Sequence, residues 1–226
     1  MAKMTRFAIL CGAALLCGAA APAPYRGHGT EPFWGVTITG NRVVYESPDG
    51  PRVAIVVRPR ITRAGRVYAT RRMTVEIRRG RCSDGMSDLY YADTVRVRFG
   101  ASGRALEGCG GAVLPPETLA DTGWGIVAID GRRIAPAENY RLEFSGGRIS
   151  GQAGCNRISG PYREAARTIR SGPMAVTRMA CPEPRMTHER RTLRLLGGPV
   201  RYSFADGSTL ILTGSGVTAR LRRLSP

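Results

Sequence analysis

Residues 200–221, VRYSFADGSTLILTGSGVTARL, consist of three short apolar or alternating runs separated by turn residues. The runs lie at 200–204, 209–213 and 217–221. Their length and their β-branched and aromatic content are typical of strands. Asp206-Gly207 and Gly214-Ser215-Gly216 provide the turns between them. This stretch predicts an antiparallel meander, and the same pattern sets the expectation for the rest of the chain.

Further strands are predicted upstream at 34–39, 42–46, 53–58, 67–77, 94–99, 124–129, 140–144 and 148–152. One helix is predicted at 183–196, because Pro184 suits its first turn and Gly197-Gly198 end it. Met186, Leu193 and Leu196 are predicted to form its apolar face. The predicted fold class is therefore mainly β with one helix (α+β), as two small antiparallel β-sheet or open-barrel domains.

The chain divides into three segments. Residues 1–21 combine a basic start, a 15-residue uncharged run from Phe7 and a small-residue patch, which together predict a secretory signal peptide. Pro115-Pro116 interrupts the strand pattern of the remaining 205 residues. We therefore predict an N-terminal β-rich module at 22–113 and a C-terminal domain at 114–226.

Export predicts a periplasmic or secreted protein. Cys17 raises the alternative of a lipid-anchored lipoprotein, but Leu15-Leu16 precede it, where lipoprotein processing usually requires small residues. Cleavage near Ala21 is therefore the expected outcome.

Four cysteines remain after the signal: Cys82, Cys109, Cys155 and Cys181. In an oxidising compartment this number suggests two disulfides, for which three connectivities exist. The local pairing, Cys82 with Cys109 and Cys155 with Cys181, places one bridge in each predicted domain and is the one we expect.

Arginine carries the positive charge of the chain. Lys3 is the only lysine, and without Lys3 and Arg6 the net charge falls from +17 to +15. Export argues against nucleic acid as the partner, so an anionic membrane or lipopolysaccharide surface is the natural acidic one. A small apolar ligand or lipid, held in the hollow of an open barrel, is an alternative. A soluble, arginine-rich surface without a ligand is the simplest interpretation.

From residue 124 to residue 224 the chain resembles the META domain, or heat-shock HslJ-like, family. The resemblance rests on two segments, GQAGCNRISGPY at 151–162 and TRMACP at 177–182. The motif residues are Gly154, Cys155, Asn156, Arg157, Ser159, Gly160, Thr177, Arg178, Met179 and Cys181. The family implies a small sheet or open barrel packed on one helix, and links to heat shock and antibiotic resistance without a defined molecular activity.

The N-terminal half is similar to an exported bacterial module of unassigned activity. Its motifs are GTEPFW at 29–34, CSDGMSD at 82–88 and GCGG at 108–111. In the middle motif Asp84 and Asp88, with Ser83 and Ser87, have oxygens for calcium, but the spacing favours a turn. His28 with Glu31 is a weaker metal pair.

Enzymatic activity is not expected. Cys155 with His188 or Glu189 would need a free thiolate, whereas a disulfide to Cys181 would remove it. No lysine remains after the signal for a phosphate loop or Schiff base, and no Gly-x-Ser-x-Gly elbow occurs. Trp34, Trp124, Phe33 and Tyr162 are predicted to be core or barrel-mouth aromatics. No cofactor is predicted.

Overall fold

The computed structural model describes residues 23–135 and 140–224. Within these ranges the chain forms nineteen β-strands and one α-helix in two antiparallel sheets, which confirms the predicted fold class. The predicted signal segment 1–21, with Cys17, lies outside the described residues. In the described part, no helix has the length and apolar character needed to cross a membrane.

The first sheet contains nine strands. They are β1 (Tyr25–Thr30), β2 (Phe33–Thr39), β3 (Arg42–Ser47), β4 (Gly50–Val56), β5 (Arg60–Thr62), β6 (Gly65–Ala69), β7 (Met73–Ser83), β8 (Tyr90–Phe99) and β9 (Ala105–Leu114). Their order is β4-β3-β2-β1-β9-β8-β7-β6-β5, so pairing of β1 with β9 joins two meanders into a half-barrel.

Alternation along these strands places one face of the sheet in a shared core. Trp34, Val36 and Ile38 of β2 are buried, and so are Val75 and Ile77 of β7. Trp34 and Trp124 are core residues as predicted. Phe33 is not, because it lies at the β1–β2 turn with 56% of its surface exposed. Tyr162 is partly buried and packs against the second core.

The predicted strand at 67–77 is wrong in one respect, because a turn divides it into β6 and β7. The Thr70 side-chain oxygen accepts hydrogen bonds from the amides of Arg72, at 3.3 Å, and Met73, at 3.2 Å. Thr70 also donates its hydroxyl to the carbonyl oxygen of Met73. Threonine side chains that satisfy backbone groups in this way compete with strand pairing.

The second sheet contains ten strands, some of which come before the helix in the chain and some after it. Its elements are β10 (Thr122–Ile129), β11 (Arg132–Arg133), β12 (Tyr140–Ser145), β13 (Arg148–Ala153), β14 (Arg157–Ala165), β15 (Thr168–Ser171), β16 (Ala175–Val176), α1 (Arg185–Leu196), β17 (Pro199–Asp206), β18 (Thr209–Gly214) and β19 (Val217–Arg223). Because β10 pairs with both β12 and β19, eight strands close into a barrel rather than an open one.

The barrel core is filled by side chains from every wall. Trp124, Leu142, Phe144 and Leu210 are fully buried in it. The helix α1 packs against β13 and β17 to β19 and buries Leu195 and Leu196 in the same core. Met186 and Leu193 are only partly buried, so the buried face of α1 differs from the predicted one and includes Glu189.

The segment between the two sheets is fixed to the barrel. Leu119 is fully buried in the barrel core, and its amide donates a 3.0 Å hydrogen bond to Glu164. Thr122 donates to the Leu119 carbonyl oxygen at 2.6 Å and accepts from the Trp124 indole at 2.7 Å. The strands of the two sheets lie within 25–114 and 122–223. The predicted domain boundary at residue 113 remains a prediction.

Candidate functional site

Asn156, at the centre of the META motif, joins three segments of the barrel domain. Its amide donates to Glu189 of α1 at 2.7 Å, and its side-chain nitrogen donates to the other Glu189 carboxylate oxygen at 3.1 Å and to the Met179 carbonyl oxygen at 3.0 Å. Its side-chain oxygen accepts from the Thr177 hydroxyl and the Met179 amide. Both Asn156 and Glu189 are buried, at 2% and 5% exposure.

This network joins the motif to α1 and to the 177–181 loop, and its polar groups hydrogen-bond one another. All polar atoms of the Asn156 side chain have partners, and both Glu189 oxygens accept from Asn156. A buried carboxylate is tolerated when hydrogen bonds replace its hydration. We therefore interpret the centre of the motif as an architectural latch between α1 and the 177–181 loop.

The two sulfur atoms of the motif form a disulfide between Cys155 and Cys181, and the second disulfide joins Cys82 to Cys109. Both match the local pairing expected from the sequence, and together they indicate an oxidising, non-cytoplasmic compartment. In the disulfide Cys155 is not the thiolate that nucleophilic catalysis needs. His188 meanwhile lies 2.9 Å from the Tyr140 hydroxyl, and burial lowers the pKa of its imidazole.

The other motif residues surround this latch. Gly154 has φ +135°, and a Cβ there would collide with the carbonyl oxygen of Arg185 at the start of α1. Gly160 is packed against Met174, so a side chain would not fit. Ser159 accepts a 3.1 Å hydrogen bond from Arg148. Arg157 and Arg178 are exposed.

Asp84 organises the loop that carries the middle N-terminal motif. Its carboxylate accepts from the amides of Met86, at 3.1 Å, and Ser87, at 2.8 Å, and from the Ser87 hydroxyl, at 2.8 Å. His28 lies 3.4 Å away, so His28 contacts Asp84 rather than the predicted Glu31. Burial raises the pKa of Asp84, but these hydrogen bonds outweigh it and hold the pKa below its usual value.

The calcium hypothesis gains no support from this geometry. The Asp84 oxygens are occupied by the loop itself, as in a turn, and the carbonyl oxygen of Asp88 accepts from Arg223 at 3.0 Å. Across 23–135 and 140–224, no group of three His, Cys, Asp or Glu side chains could hold a metal ion. Three N-terminal motif segments nevertheless border one polar cleft of about 410 Å³, through Thr30, Asp84 and Gly108.

A basic groove on the outer wall of the barrel is the feature best suited to binding. We define it by Arg133, Arg220, Arg222, Val127, Ile134 and Ile211, and it encloses about 700 Å³. The β19 strand alternates Val217, Ala219 and Leu221 inward with Thr218, Arg220 and Arg222 outward. Cross-strand pairing places Ala128 of β10 between Arg133 and Arg220, and Ile211 on the other side of Arg220.

The electrostatics of the basic groove are one-sided. Its described lining contains three guanidinium groups and no carboxylate, and none of the three makes an ion pair with another described residue. Asp130, in the adjacent turn, accepts from the Thr218 amide at 2.9 Å and lies 3.6 Å from Arg191. Among the described residues, the groove therefore presents arginines without a paired carboxylate beside apolar side chains.

This groove was not predicted from the sequence. Arg220 and Arg222-Arg223 form a basic group in the sequence, but Arg223 leaves it: it donates to Asp88 and lies over the Trp124 ring, 5.9 Å from its centroid. Arg133 and Ile211 join the groove through strand pairing. Outward alternation on β19 was the signal that separates Arg220 and Arg222 from Arg223.

The second sheet and the helix form a closed, disulfide-bridged β-barrel domain. The buried hydrogen-bond network around the motif has a structural role in it. Residues 117–225 match the META domain family, so the C-terminal half of the chain is a META domain. The META family is a non-catalytic family.

Two solved structures are similar to part of the chain. The NMR structure of a protein from Burkholderia xenovorans is 27% identical, with a TM-score of 0.40, over 47% of this chain and 83% of its own. A second NMR structure is 21% identical, with a TM-score of 0.41, over 45% of this chain and 88% of its own. No curated protein matches the chain.

Proposed function

We propose that this protein is an exported, non-catalytic envelope protein that binds an anionic surface through the basic groove. The observation that carries the proposal is the cluster of Arg133, Arg220 and Arg222 without a carboxylate in the described lining. Guanidinium groups bind phosphate oxygens in bidentate fashion and are weakly hydrated, so they suit lipid phosphates. The neighbouring Ile211 is partly exposed and supplies an apolar contact that a head group with acyl chains can use.

The composition supports an electrostatic mode of binding. A predicted mature charge of +15 attracts the chain to negative surfaces over roughly the Debye length, about 10 Å at 0.1 M salt. We propose the periplasm or the exterior as the location, since the two disulfides require an oxidising compartment.

A carrier of an apolar ligand is the alternative, but the barrel gives it little support. A carrier needs a hollow, whereas the described interior positions hold large buried side chains such as Trp124, Phe144 and Leu142. Leu119 and the helix residues Leu195 and Leu196 add to this packing. The interior is thus occupied in the same way as an ordinary protein core.

Binding of anionic sites also offers a physical route to stress and antibiotic tolerance. Cationic antibiotics depend on the same envelope phosphates, so a protein that covers these phosphates would reduce antibiotic uptake. We expect a host that carries the Arg220→Gln/Arg222→Gln protein to be more sensitive to a cationic antibiotic than the wild type. If the two hosts were equally sensitive at equal protein levels, antibiotic tolerance would not depend on the basic groove.

The binding proposal is tested with vesicles. The exported chain should sediment with vesicles of phosphatidylglycerol but not with those of phosphatidylcholine, and salt should weaken the binding. Each arginine near an anionic surface contributes about 1 kcal/mol, so Arg220→Gln/Arg222→Gln should weaken binding roughly 30-fold.

The matched control is Arg52→Gln/Arg96→Gln, which changes the net charge equally but removes arginines paired with Glu46 and Glu107. This control should lose much less affinity. Equal losses in the two variants would show that bulk charge, and not the groove, drives binding. Absence of any binding to anionic vesicles would overturn the proposal.

A further inference from the structure

The N-terminal half-barrel has a second basic depression, on the other sheet. We call it the mouth pocket and define it by Ile61, Arg63, Arg66, Ile77, Arg79 and Asp93. It encloses about 750 Å³ between the β5–β6 hairpin and strands β7 and β8. No sequence motif pointed to it.

Strand register explains why these side chains meet. Arg66 of β6 pairs with Ile77 of β7, and Arg79 of β7 pairs with Asp93 of β8. Paired residues of antiparallel strands point to the same face. Ile77 is a buried core residue, so this face is the inner, concave face of the half-barrel, and the pocket lies at its mouth.

Tyr25 forms the support beneath the pocket. The Arg66 guanidinium lies over the Tyr25 ring, 5.3 Å from its centroid, which fixes the direction of the arginine. The Tyr25 hydroxyl approaches Gly110 of β9, and a Cβ at Gly111 would lie 2.7 Å from Asp93. The glycines of the GCGG motif therefore leave room for Tyr25 and Asp93.

The charges of the mouth pocket are unbalanced. It has three guanidinium groups and one carboxylate, and Arg63, Arg66 and Arg79 make no ion pair with another described residue. Arg66 is half-buried, so solvent screens it less than it screens an exposed arginine. The Tyr25 hydroxyl is buried next to the Asp93 carboxylate. Burial, followed by the charge of Asp93, raises its pKa far above the usual value, so the hydroxyl remains protonated.

We propose that the mouth pocket binds one oxyanion group, a phosphate monoester, that carries an apolar substituent. Arg63, Arg66 and Arg79 hold the phosphate oxygens, and Asp93 leaves two net positive charges, which match a phosphate dianion. The apolar substituent contacts Ile61. Ile61 is 70% exposed and is available for this contact. The site is independent of the basic groove on the barrel.

The binding experiment uses the full exported chain with two soluble probes, inorganic phosphate and hexyl phosphate, in isothermal titration calorimetry. Hexyl phosphate should bind saturably, and more tightly than inorganic phosphate. Arg66→Gln/Arg79→Gln should weaken hexyl phosphate at least tenfold. Ile61→Ser should weaken hexyl phosphate but leave inorganic phosphate unchanged, because only the alkyl chain contacts Ile61.

Two controls separate the pocket from bulk charge and from the groove. Arg52→Gln/Arg96→Gln makes the same change in net charge outside the pocket and should leave both affinities unchanged. Arg220→Gln/Arg222→Gln should also leave hexyl phosphate binding unchanged, even if vesicle binding falls. If Arg66→Gln disturbs folding through Tyr25, Arg63→Gln/Arg79→Gln takes its place.

The natural source of the phosphate is decided by a competition. Displacement of hexyl phosphate by phosphatidic acid vesicles, and not by phosphatidylcholine vesicles, would indicate a lipid head group. A failure of the acidic vesicles to displace it would indicate a free phosphate monoester. Absence of saturable binding of either soluble probe, or equal weakening by the pocket variant and the Arg52→Gln/Arg96→Gln control, would overturn the proposal.

Discussion

The backbone amide of Asn156 donates a 2.7 Å hydrogen bond to the carboxylate of Glu189, a residue 33 positions later in the chain. This bond, with that from the Asn156 side chain, fastens α1 to the turn after β13. Both partners are buried, so neither can exchange its lost bond for water. The META motif and the helix thus depend on one carboxylate.

We predict that Glu189→Gln destabilises the barrel domain by roughly 2 kcal/mol. Glutamine keeps the size but offers one carbonyl oxygen to two donors of Asn156, so one donor would face an NH₂ group. Urea unfolding measures the loss. The matched control is Glu143→Gln on the exposed wall of β12, for which we expect a change under about 0.5 kcal/mol. Equal stability of the two variants would contradict the role of Glu189.

The position of Glu189 shows where sequence patterning reaches its limit. The helix itself was predictable from Pro184 and Gly197-Gly198, and its bounds agree within two residues. Its buried face was not, because the pattern of apolar residues favoured Met186 and Leu193. The Glu189 carboxylate is buried because it accepts a hydrogen bond from Asn156, 33 positions away, and no local sequence pattern contains that information.

Glycine-rich strands illustrate the same limit in the first sheet. β1 and β9 were not predicted, since glycine weakens a strand in general. Here Gly29 and Gly108 lie directly under the Trp34 indole, where a side chain would collide with the ring. Strand alternation, by contrast, was readable at β2, β3 and β17 to β19, because each buries every second residue.

Removal of the disulfide between Cys155 and Cys181 should destabilise the protein substantially. Cys155 and Cys181 are separated by 26 positions, and closing a loop of that length is worth about 3.5 kcal/mol in the chain-entropy model. We therefore expect Cys155→Ser/Cys181→Ser to lower the free energy of unfolding by an amount of that order. Thermal unfolding under non-reducing conditions measures it, with the wild type in reductant as a comparison. A much smaller loss would mean that the Asn156 network already orders the 177–181 loop.

The raised pKa of Tyr202 predicts that the folded state loses stability at high pH. Burial, and next the hydrogen bond to Glu164, raise the pKa of Tyr202 to about 12 from its ordinary value of 10.0. Since the folded-state pKa is raised, the contribution is complete below pH 10 and is lost as the pH rises through about 12. Tyr202→Phe should remove this dependence, because phenylalanine does not ionise.

A spectrophotometric titration checks this directly. Tyrosinate absorbance of the wild type should include one group that ionises near pH 12 and disappears in Tyr202→Phe. Tyr90→Phe is the control, since Tyr90 is partly exposed, and its loss should leave the late step in place. Since the pKa of Tyr25 is also raised, the test is the amplitude of the step near pH 12, and an unchanged amplitude in Tyr202→Phe would assign that step to another tyrosine.

The close packing of Gly207 against β9 predicts that this turn helps to hold the two sheets together. It lies in the turn between β17 and β18, and a Cβ there would collide with the carbonyl group of Val113 at the end of β9. Arg223 reinforces the contact by donating to Asp88 at 3.0 Å. Gly207→Ala must therefore push the turn away from β9, because backbone atoms cannot yield as a flexible side chain does.

We expect Gly207→Ala to loosen the sheets from each other while each sheet stays folded. Hydrogen exchange should become faster in residues 115–121, and thermal unfolding should broaden or separate into two transitions. Gly80→Ala is the matched control, because a Cβ at Gly80 meets no atom within 4 Å. Unchanged exchange in Gly207→Ala would mean that the segment with Leu119 holds the sheets together without the turn. Loss of protected amides within β17 and β18 themselves would instead assign the effect to the hairpin, and the coupling by Gly207 would be rejected.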